Sequence, residues 1–273
     1  MTPQDPVPPQ SGIRIDTSKP HPARMYDWFL GGKDNYPVDE EMARQLLTVD
    51  ARGRDMARVN RAFMHRAIRW LSANGVRQYL DIGTGIPTEP NLHQIAQGAA
   101  PESRIVYCDN DPIVLAHAAA LLRSTPEGAT EYIQADARDP ELILERAGKV
   151  LDFDQPIALS MLALLHFVGD EDGAYELVGK LVDQLAPGSY LVLSHVTGDF
   201  NPEGAEQAAA MYRARGLTLR PRSRDELAAF FDGLDLVEPG VALTAEWHPE
   251  LGEPVPVAGD EPIPGWAAVG RKR

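Results

Sequence analysis

The stretch QYLDIGTGIP, residues 78–87, decides the fold of this chain. Its first five residues form a short apolar run typical of a buried strand, and Gly83 and Gly85 follow directly. Glycines let a turn adopt positive φ and let a ligand approach the backbone closely. Pro87 departs from the three-glycine dinucleotide pattern, so no helix is expected directly after Gly85. Taken alone, the glycine pair is also compatible with a plain strand-to-loop turn.

Beyond this stretch, short apolar runs alternate with longer helical patterns. Such alternation predicts right-handed βαβ units and a mostly parallel sheet. The last two runs have no helix between them, which predicts an antiparallel hairpin closing the sheet edge. The strand candidates are residues 78–82, 104–109, 131–134, 157–163, 190–195, 234–241 and 266–270.

The segment before the first strand has a helical pattern. Its apolar residues recur at helical spacing, and Asn74 and Gly75 provide a plausible C-terminal stop. Residues 223–231 form a second helix candidate, with Ser223 and Glu226 as a capping box. The apolar face before the first strand consists of Met56, Val59, Phe63, Ala67, Trp70 and Leu71.

Length and composition limit the possible classes of protein. The 273 residues suffice for one large α/β domain with an added element, or for two small domains. A net charge of −14 repels phosphate backbones and argues against nucleic acid as a partner. The single cysteine, Cys108, excludes a disulfide framework and a thiolate zinc cluster. No apolar run approaches the roughly 20 residues that span a bilayer, and no signal-peptide pattern is present, so we expect a cytoplasmic protein without membrane contact.

Acidic residues end the second and third strand candidates. Asp109 could accept hydrogen bonds from ribose hydroxyls, since Asp111 and Pro112 already provide the N-cap and first position of the next helix. Asp136 could accept from an adenine amine while the Ala137 N–H serves a ring nitrogen, although an ordinary Asp-rich turn is the alternative. In open α/β sheets, ligands bind in the crevice at these strand ends.

Five segments in order resemble class I S-adenosylmethionine (SAM)-dependent methyltransferases: YLDIGTG (79–85), DNDP (109–112), ADA (135–137), LLHFV (164–168) and LAPGSYL (185–191). The resemblance implies a Rossmann-like fold with a seven-stranded, mostly parallel sheet whose last strand is antiparallel. It implies SAM as cofactor and S-adenosylhomocysteine as product. The cofactor-binding residues it implies are Asp81, Gly83, Thr84, Gly85, Asp109, Asn110, Asp136 and Ala137.

The N-terminal segment ARMYDWFLGGKDNY (23–36) and IPT (86–88) resemble an actinobacterial group of uncharacterised SAM methyltransferase-like proteins, of the DUF574 type. We therefore expect a flexible tail at residues 1–20, a helical cap at 21–75 and a SAM-binding methyltransferase domain at 76–273. A plain helix-to-helix loop is the alternative to a cap over the cofactor. The residues expected to face the ligand or substrate from the cap are Arg24, Tyr26, Lys33, Asn35 and Tyr36.

A basic stripe on the helix before the first strand has two interpretations. Arg58, Arg61, His65 and Arg69 are at helical spacing, typical of a solvated face paired with nearby acids. Alternatively, Asn60 and Arg61 point at the amino-acid end of the cofactor.

His166, which follows the fourth strand candidate, is the expected catalytic residue. An imidazole with its ordinary pKa of about 6.5 can act as a general base at neutral pH, while a histidine packed in the core is the alternative. His195 has the same ambiguity with weaker support. No histidine and carboxylate cluster has the spacing of metal ligands.

These observations favour a SAM-dependent methyltransferase that acts on a small-molecule acceptor by O- or N-methylation. A non-catalytic SAM-binding protein with a regulatory or interaction role is the first alternative, because no catalytic base stands out. An NAD-dependent oxidoreductase is the second, based on the glycine pair and the acidic strand end, but Pro87 and the late hairpin argue against it.

Overall fold

The computed structural model describes residues 16–114 and 123–273. The first fifteen residues of the predicted flexible tail therefore lie outside the described part of the chain. Within the described residues, no helix has the length and apolar character needed to cross a membrane.

One sheet forms the centre of the molecule. Its strand order is β3-β2-β1-β4-β5-β8-β6, and β7 also pairs with β8. Neighbours among β1–β5 are parallel, and β8 is antiparallel to β5, which confirms the predicted fold class. The strands are β1 (Gln78–Ile82), β2 (Arg104–Asp109), β3 (Ala129–Gln134), β4 (Ala158–Leu162), β5 (Tyr190–Val196), β6 (Asp235–Leu236), β7 (Ala242–Leu243) and β8 (Gly265–Arg271).

The described sheet has eight strands where seven were expected, because the strand predicted at 234–241 is interrupted. Only β6 forms within it, and β7 follows it. The two short strands pair with opposite ends of β8, Leu236 beside Gly270 and Leu243 beside Trp266. Pro239 has no N–H for a ladder bond, and Gly240 turns the chain at φ +81°. The late strands therefore close the sheet edge as two short pairings.

Helices cover both faces of the sheet. Asn74 ends α3, followed by Gly75 at φ +86°, and the capping box of Ser223 and Glu226 begins α8, as predicted. Short 3₁₀ turns occur at Leu165–Phe167, Ala229–Phe231 and Pro249–Leu251. The helices are α1 (Pro22–Leu30), α2 (Pro37–Val49), α3 (Gly53–Ala73), α4 (Leu92–Ala99), α5 (Pro140–Ala147), α6 (Ala174–Asp183), α7 (Pro202–Arg213) and α8 (Arg224–Ala228).

The three N-terminal helices pack in two different ways. The predicted apolar face of α3 joins one side of the sheet core, where Phe63 and Leu71 are fully buried. In contrast, α1 and α2 form a separate apolar cluster with α7, built around Met25, Met42 and Tyr212. This arrangement places α1 and α2 beside α7. The predicted domain boundary at residue 75 stays a prediction.

The polar side of α3 holds a long segment that we call the strap, residues 244–264. The Asp55 carboxylate accepts a hydrogen bond from the Ala258 N–H at 3.0 Å. Arg66 donates to the carbonyls of Thr244 and, at 2.8 Å, Trp247. The basic stripe contributes as well, since Arg58 and Arg69 bind strap carbonyls while Arg61 and His65 bind Pro90. The stripe therefore serves mainly to attach two loops to α3.

Replacing Arg66 should loosen the strap. The Arg66→Met variant keeps the aliphatic stem of a buried side chain but removes the donors to two strap carbonyls, so we expect the free energy of unfolding to fall by about 2 kcal/mol. The matched Arg69→Met variant loses one exposed contact to Leu251 and should change it by less than about 0.5 kcal/mol. Urea unfolding measures both, and equal losses would contradict a specific role for Arg66.

Candidate functional site

A cavity of about 600 Å³ opens at the carboxyl ends of β1, β2, β4 and β5. This volume is in the usual range for small-molecule sites, roughly 300–1,000 Å³. The sheet order reverses between β1 and β4, which is where open α/β sheets bind their ligands. The strand ends form the floor, and parts of α1, α2, α3, α7 and the strap form the walls.

The glycine loop after β1 is held close to the end of β2. Gly83 has φ +76° and Gly85 has φ +69°, conformations that favour glycine. A Cβ atom on Gly83 would lie 2.7 Å from Leu164 Cδ1, so a larger residue would clash there. The Gly83 N–H donates to the Cys108 carbonyl at 2.8 Å. The loop therefore presents bare backbone to the cavity.

Asp109 joins the glycine loop to the next helix. Its Oδ2 accepts from the Gly85 N–H at 2.8 Å, and its Oδ1 accepts from the Asp111 N–H at 3.0 Å. Burial raises the pKa of Asp109 above its ordinary value. Asp111 in turn accepts from the Ile113 N–H, which confirms its predicted role as N-cap. The carboxylate that faces the cavity is thus fixed in position by two backbone donors.

A buried carboxylate and a cation without an ion pair line the cavity together with the glycine loop. Asp81 accepts from Ser160 Oγ at 2.5 Å, and burial raises the pKa of Asp81 to about 6. Arg61 donates to the carbonyls of Thr88 and Pro90, but its buried Nε has no partner. No carboxylate within the described residues forms an ion pair with Arg61. Both side chains line the cavity, which therefore offers complementary charges to a zwitterionic group.

A polar network connects α1 and α3 to the sheet. Asn60 Nδ2 donates to Tyr26 Oη at 2.9 Å, and Tyr26 Oη donates to the Ala57 carbonyl. Ser194 Oγ donates to Asn60 Oδ1 and accepts from the Ala163 N–H at 3.0 Å. Ala163 has φ +51°, which is strained for a residue with a side chain. The network therefore holds α1, α3 and β5 around a strained backbone segment after β4.

Two histidines at the strand ends are kept uncharged. The ring centroids of His166 and His195 are 5.2 Å apart. His195 Nδ1 donates to the Val196 carbonyl at 2.7 Å, and its Nε2 accepts from Arg222 Nη1 at 3.0 Å. Burial lowers the pKa of His195 to about 3. Burial, and then the neighbouring His195 and Arg222, lower the pKa of His166 well below 6.5.

The low pKa of His166 changes what this residue can do as the expected catalytic group. Its imidazole is neutral at physiological pH and can accept a hydrogen bond, but it holds a proton poorly. The ordinary pKa on which a general-base role was predicted therefore does not apply.

The structure brings most of the predicted site residues together: eight of the ten cofactor residues, the cap residue Tyr26 and the expected catalytic residue His166. These residues come from β1, β2, α1, α3 and the turn after β4, and they share one cavity. Those that line it are Tyr26, Asn60, Arg61, Asp81, Gly83, Thr84, Gly85, Asp109, Asn110 and His166.

The other two predicted cofactor residues, Asp136 and Ala137, are not part of the lining. The Asp136 carboxylate binds the guanidinium group of Arg138 through two hydrogen bonds, of 2.9 Å and 2.7 Å. Arg138 itself lines the cavity. At this strand end, Arg138 and not Asp136 therefore lines the cavity.

Four of the five predicted cap residues also lie outside the lining. Arg24 is buried and binds Asp111, with Nε 2.8 Å from Oδ2. Lys33 is exposed, and the Asn35 side chain donates to Asp27 and to the Gly32 carbonyl. The Tyr36 N–H donates to Asp39 at the beginning of α2. Arg24, Asn35 and Tyr36 therefore bind protein groups in and around α1 and α2, and a contact of these four residues with a ligand stays a prediction.

Sequence reasoning missed several residues of the site. Ser160 supports Asp81 and pairs with it in register across β4 and β1. It is a polar residue inside an apolar strand, which was an available signal, since buried polar groups need partners. Tyr212 and Phe167, which line the cavity from α7 and the turn after β4, carried no comparable signal.

Comparisons with known proteins agree with this geometry. A family model described as S-adenosyl methyltransferase matches residues 9–273. The chain is 46% identical to a DUF574 family protein from Streptomyces avermitilis, covering 95% of this chain and 100% of that one, with a TM-score of 0.90. It is 38% identical to a protein from Thermobifida fusca that is described as a methyltransferase by similarity, with coverages of 94% and 97% and a TM-score of 0.85.

More distant structures share the fold alone. Human N-acetylserotonin methyltransferase, solved with SAM, is 14% identical over 90% of this chain and 62% of its own, with a TM-score of 0.50. No curated protein matches the chain.

The buried charge of Asp81 should make stability depend on pH. Because its pKa in the folded state is about 6 and above that of the unfolded chain, ionisation opposes folding, and this cost grows as pH rises from 4 to 7. We compare the free energy of unfolding of Asp81→Asn with that of the parent protein. The difference in favour of the variant should increase by about 2 kcal/mol from about pH 4.5 to about pH 7.5. Urea unfolding at both pH values measures this change. The exposed Asp232→Asn variant is the control. If the difference in unfolding free energy between Asp81→Asn and the parent protein does not increase with pH, the raised pKa of Asp81 is contradicted.

Proposed function

The chain belongs to the S-adenosyl methyltransferase family, and we propose that it transfers the methyl group of S-adenosylmethionine to an oxygen or nitrogen atom of a small-molecule acceptor. The observation that carries the proposal is that Arg61, whose buried Nε has no partner, and the buried carboxylate of Asp81 line the same cavity beside the glycine loop. The enzyme class and the cofactor are those of the family, which favours them over the oxidoreductase and the non-catalytic alternatives.

The residues of the cavity fit SAM at its charged end. Arg61 has a buried Nε without a partner, which suits the α-carboxylate of the cofactor. Asp81, ionised above about pH 6, suits the α-ammonium group. Asn60 lies beside Arg61 and lines the same cavity. Together these residues would orient the amino-acid end of the cofactor.

The adenosyl end would lie along β1 and β2. Each Asp109 oxygen accepts one backbone hydrogen bond and keeps a second lone pair for a ribose hydroxyl. Gly83, Thr84 and Gly85 leave room for the ligand against the backbone. Asn110 lines the adenine side, where Asp136 and Ala137 would act indirectly, because Asp136 holds Arg138 at the cavity.

When bound, SAM would supply a methyl group from a positively charged sulfur, which would keep the carbon–sulfur electron pair as a neutral thioether. The acceptor's lone pair would form the new bond to carbon, and its proton would pass to a base and from there to the solvent. The part of this chain is to hold the acceptor in line and to exclude water. Neutral His166 can accept a hydrogen bond from the acceptor. A weak base suffices if the proton leaves as the acceptor atom gains positive charge.

A small acceptor is supported by the volume of the cavity, about 600 Å³, which is in the range of small-molecule sites. Residues 21–75 would act as a cap, with α1 attached to the cofactor side of the sheet through the buried Arg24–Asp111 ion pair. The polar network from Tyr26 to Ser194 holds the cap helices against the sheet. The net charge of −14 opposes a nucleic acid substrate.

Cofactor binding tests the assignment of Arg61. At about 100 times its dissociation constant, SAM or S-adenosylhomocysteine should stabilise the protein by about 2.7 kcal/mol, whereas NAD should have no effect. Arg61→Met removes the charged donor for the α-carboxylate and should weaken SAM binding by about 10- to 100-fold in calorimetry. Arg69→Met, on the same helix but outside the cavity, is the matched control and should bind like the parent protein. Stabilisation by NAD but not by SAM would refute the proposed function.

The affinity for SAM should also depend on pH through Asp81. The ionised carboxylate binds the ammonium group, so protonation below about pH 6 competes with binding, and affinity should fall by up to about tenfold per pH unit there. Calorimetry at about pH 5 and pH 7.5 should therefore give a markedly higher dissociation constant at the lower pH. Asp81→Asn should bind weakly at both pH values, with a smaller ratio of the two dissociation constants. Arg61→Met removes a charge that lowers the Asp81 pKa, so its ratio should be at least as large as that of the parent protein. If the ratio of the dissociation constants at the two pH values is the same in Asp81→Asn as in the parent protein, a group other than Asp81 causes the pH dependence of SAM binding.

A further inference from the structure

The part of the cavity away from the strand ends, which we call the acceptor compartment, is walled by apolar and aromatic groups. Its walls come from α1, α2 and α3, from the turn after β4, and from α7 with the segment that follows it. Residues on these walls include Phe29, Val49, Met56, Phe167, Tyr212 and Leu219.

Three aromatic rings form a continuous wall on one side of this compartment. The His166 and Phe167 ring centroids are 4.3 Å apart, and the Phe167 and Tyr212 centroids are 5.8 Å apart with an interplanar angle of 34°. His166 and Tyr212 are 7% and 6% exposed, so what surface they have faces the cavity. The wall presents aromatic rings on which a flat apolar ligand can pack.

The acceptor compartment lacks an unpaired charge among the described residues that line it. Asp50 at the end of α2 is the carboxylate on this side, and Arg52 binds it with Nη2 2.7 Å from Oδ2. The unpaired cation Arg61 and the buried anion Asp81 lie on the cofactor side. A carboxylate or ammonium group on the acceptor would therefore lose its hydration without gaining an ionic partner.

Two uncharged polar atoms in this compartment have no partner within the described chain. The Tyr212 hydroxyl forms no hydrogen bond, and burial raises the pKa of Tyr212, so it stays a neutral donor. His166 Nε2 likewise forms none, and its Nδ1 is buried without one. Both residues line the cavity, so these two atoms can form hydrogen bonds with a ligand there, Tyr212 as a donor and His166 Nε2 as an acceptor.

We propose that the acceptor is an uncharged aromatic hydroxyl compound, whose ring packs on the wall of His166, Phe167 and Tyr212. Its hydroxyl donates to His166 Nε2 and accepts from the Tyr212 hydroxyl. An aliphatic amine is positively charged at neutral pH, and the nitrogen of an aromatic amine is a poor hydrogen-bond acceptor, so a hydroxyl group satisfies both side chains best. This inference rests on the proposed function and narrows its acceptor to one class.

Three probes with the same ring system separate the classes. They are 2-naphthol, 2-naphthoate and 2-(aminomethyl)naphthalene, which near neutral pH are uncharged, anionic and cationic. Calorimetry with the full-length protein saturated with S-adenosylhomocysteine should give 2-naphthol a dissociation constant at least about tenfold lower than either charged probe. A charged probe that binds as tightly as 2-naphthol, or no binding of 2-naphthol, would overturn the inference.

Two variants test the polar contacts. Tyr212→Phe removes one hydroxyl, and His166→Phe removes the imidazole nitrogens while keeping a ring, so each should weaken 2-naphthol binding by about 5- to 20-fold. Both should keep the affinity for S-adenosylhomocysteine. Tyr175→Phe is the matched control, since the Tyr175 hydroxyl donates to the Glu226 carbonyl and lies outside the cavity lining.

The outcomes distinguish this inference from the proposed function. Normal S-adenosylhomocysteine binding, with 2-naphthol affinity unchanged in Tyr212→Phe and His166→Phe, overturns the acceptor class alone. Failure of the parent protein to bind S-adenosylhomocysteine overturns the proposed function and the inference with it.

Discussion

The carboxylate of Asp109 is the group on which the architecture of the site depends. It accepts one hydrogen bond from the Gly85 N–H and one from the Asp111 N–H, and so joins the loop after β1 to the chain after β2. Asp111 extends the connection, because its carboxylate binds Arg24 on α1. A buried charge is tolerated only when donors surround it, so these bonds have to form together. The glycine loop and α1 are thereby attached to one acidic corner of the sheet.

Charge is distributed unevenly within the cavity. On the cofactor side, Asp81, Asp109 and Arg61 provide both signs of charge within reach of one ligand. On the acceptor side, Arg222 donates to His195 from a fully buried position, and its positive charge helps to keep both histidines neutral. A positively charged methyl donor and an uncharged acceptor would each find a suitable environment.

Much of the fold could be predicted from the sequence because its signals are local. Alternating apolar runs and helical patterns predicted the order of elements, and Gly83, Gly85 and Asp109 were correctly placed at the carboxyl ends of neighbouring strands. The strand at 234–241 was overextended because the apolar pattern continued across Pro239 and Gly240, where the backbone cannot continue the ladder. The orientation of side chains in residues 21–75 could not be predicted either. Arg24 and Asn35 bind protein carboxylates, and the sequence pattern does not reveal such contacts.

The sequence by itself determined the fold class, the glycine loop and the acidic strand ends, because these follow from hydrophobic period and from residues adjacent in the chain. Only the tertiary structure decided which distant side chains meet. Ser160 reaches Asp81, Arg222 reaches His195, and Tyr212 joins the wall that contains His166. It also decided the protonation of His166, since the pKa of a buried imidazole depends on desolvation and on neighbouring charges from other elements. Such effects depend on distance in space, which separation along the chain does not record.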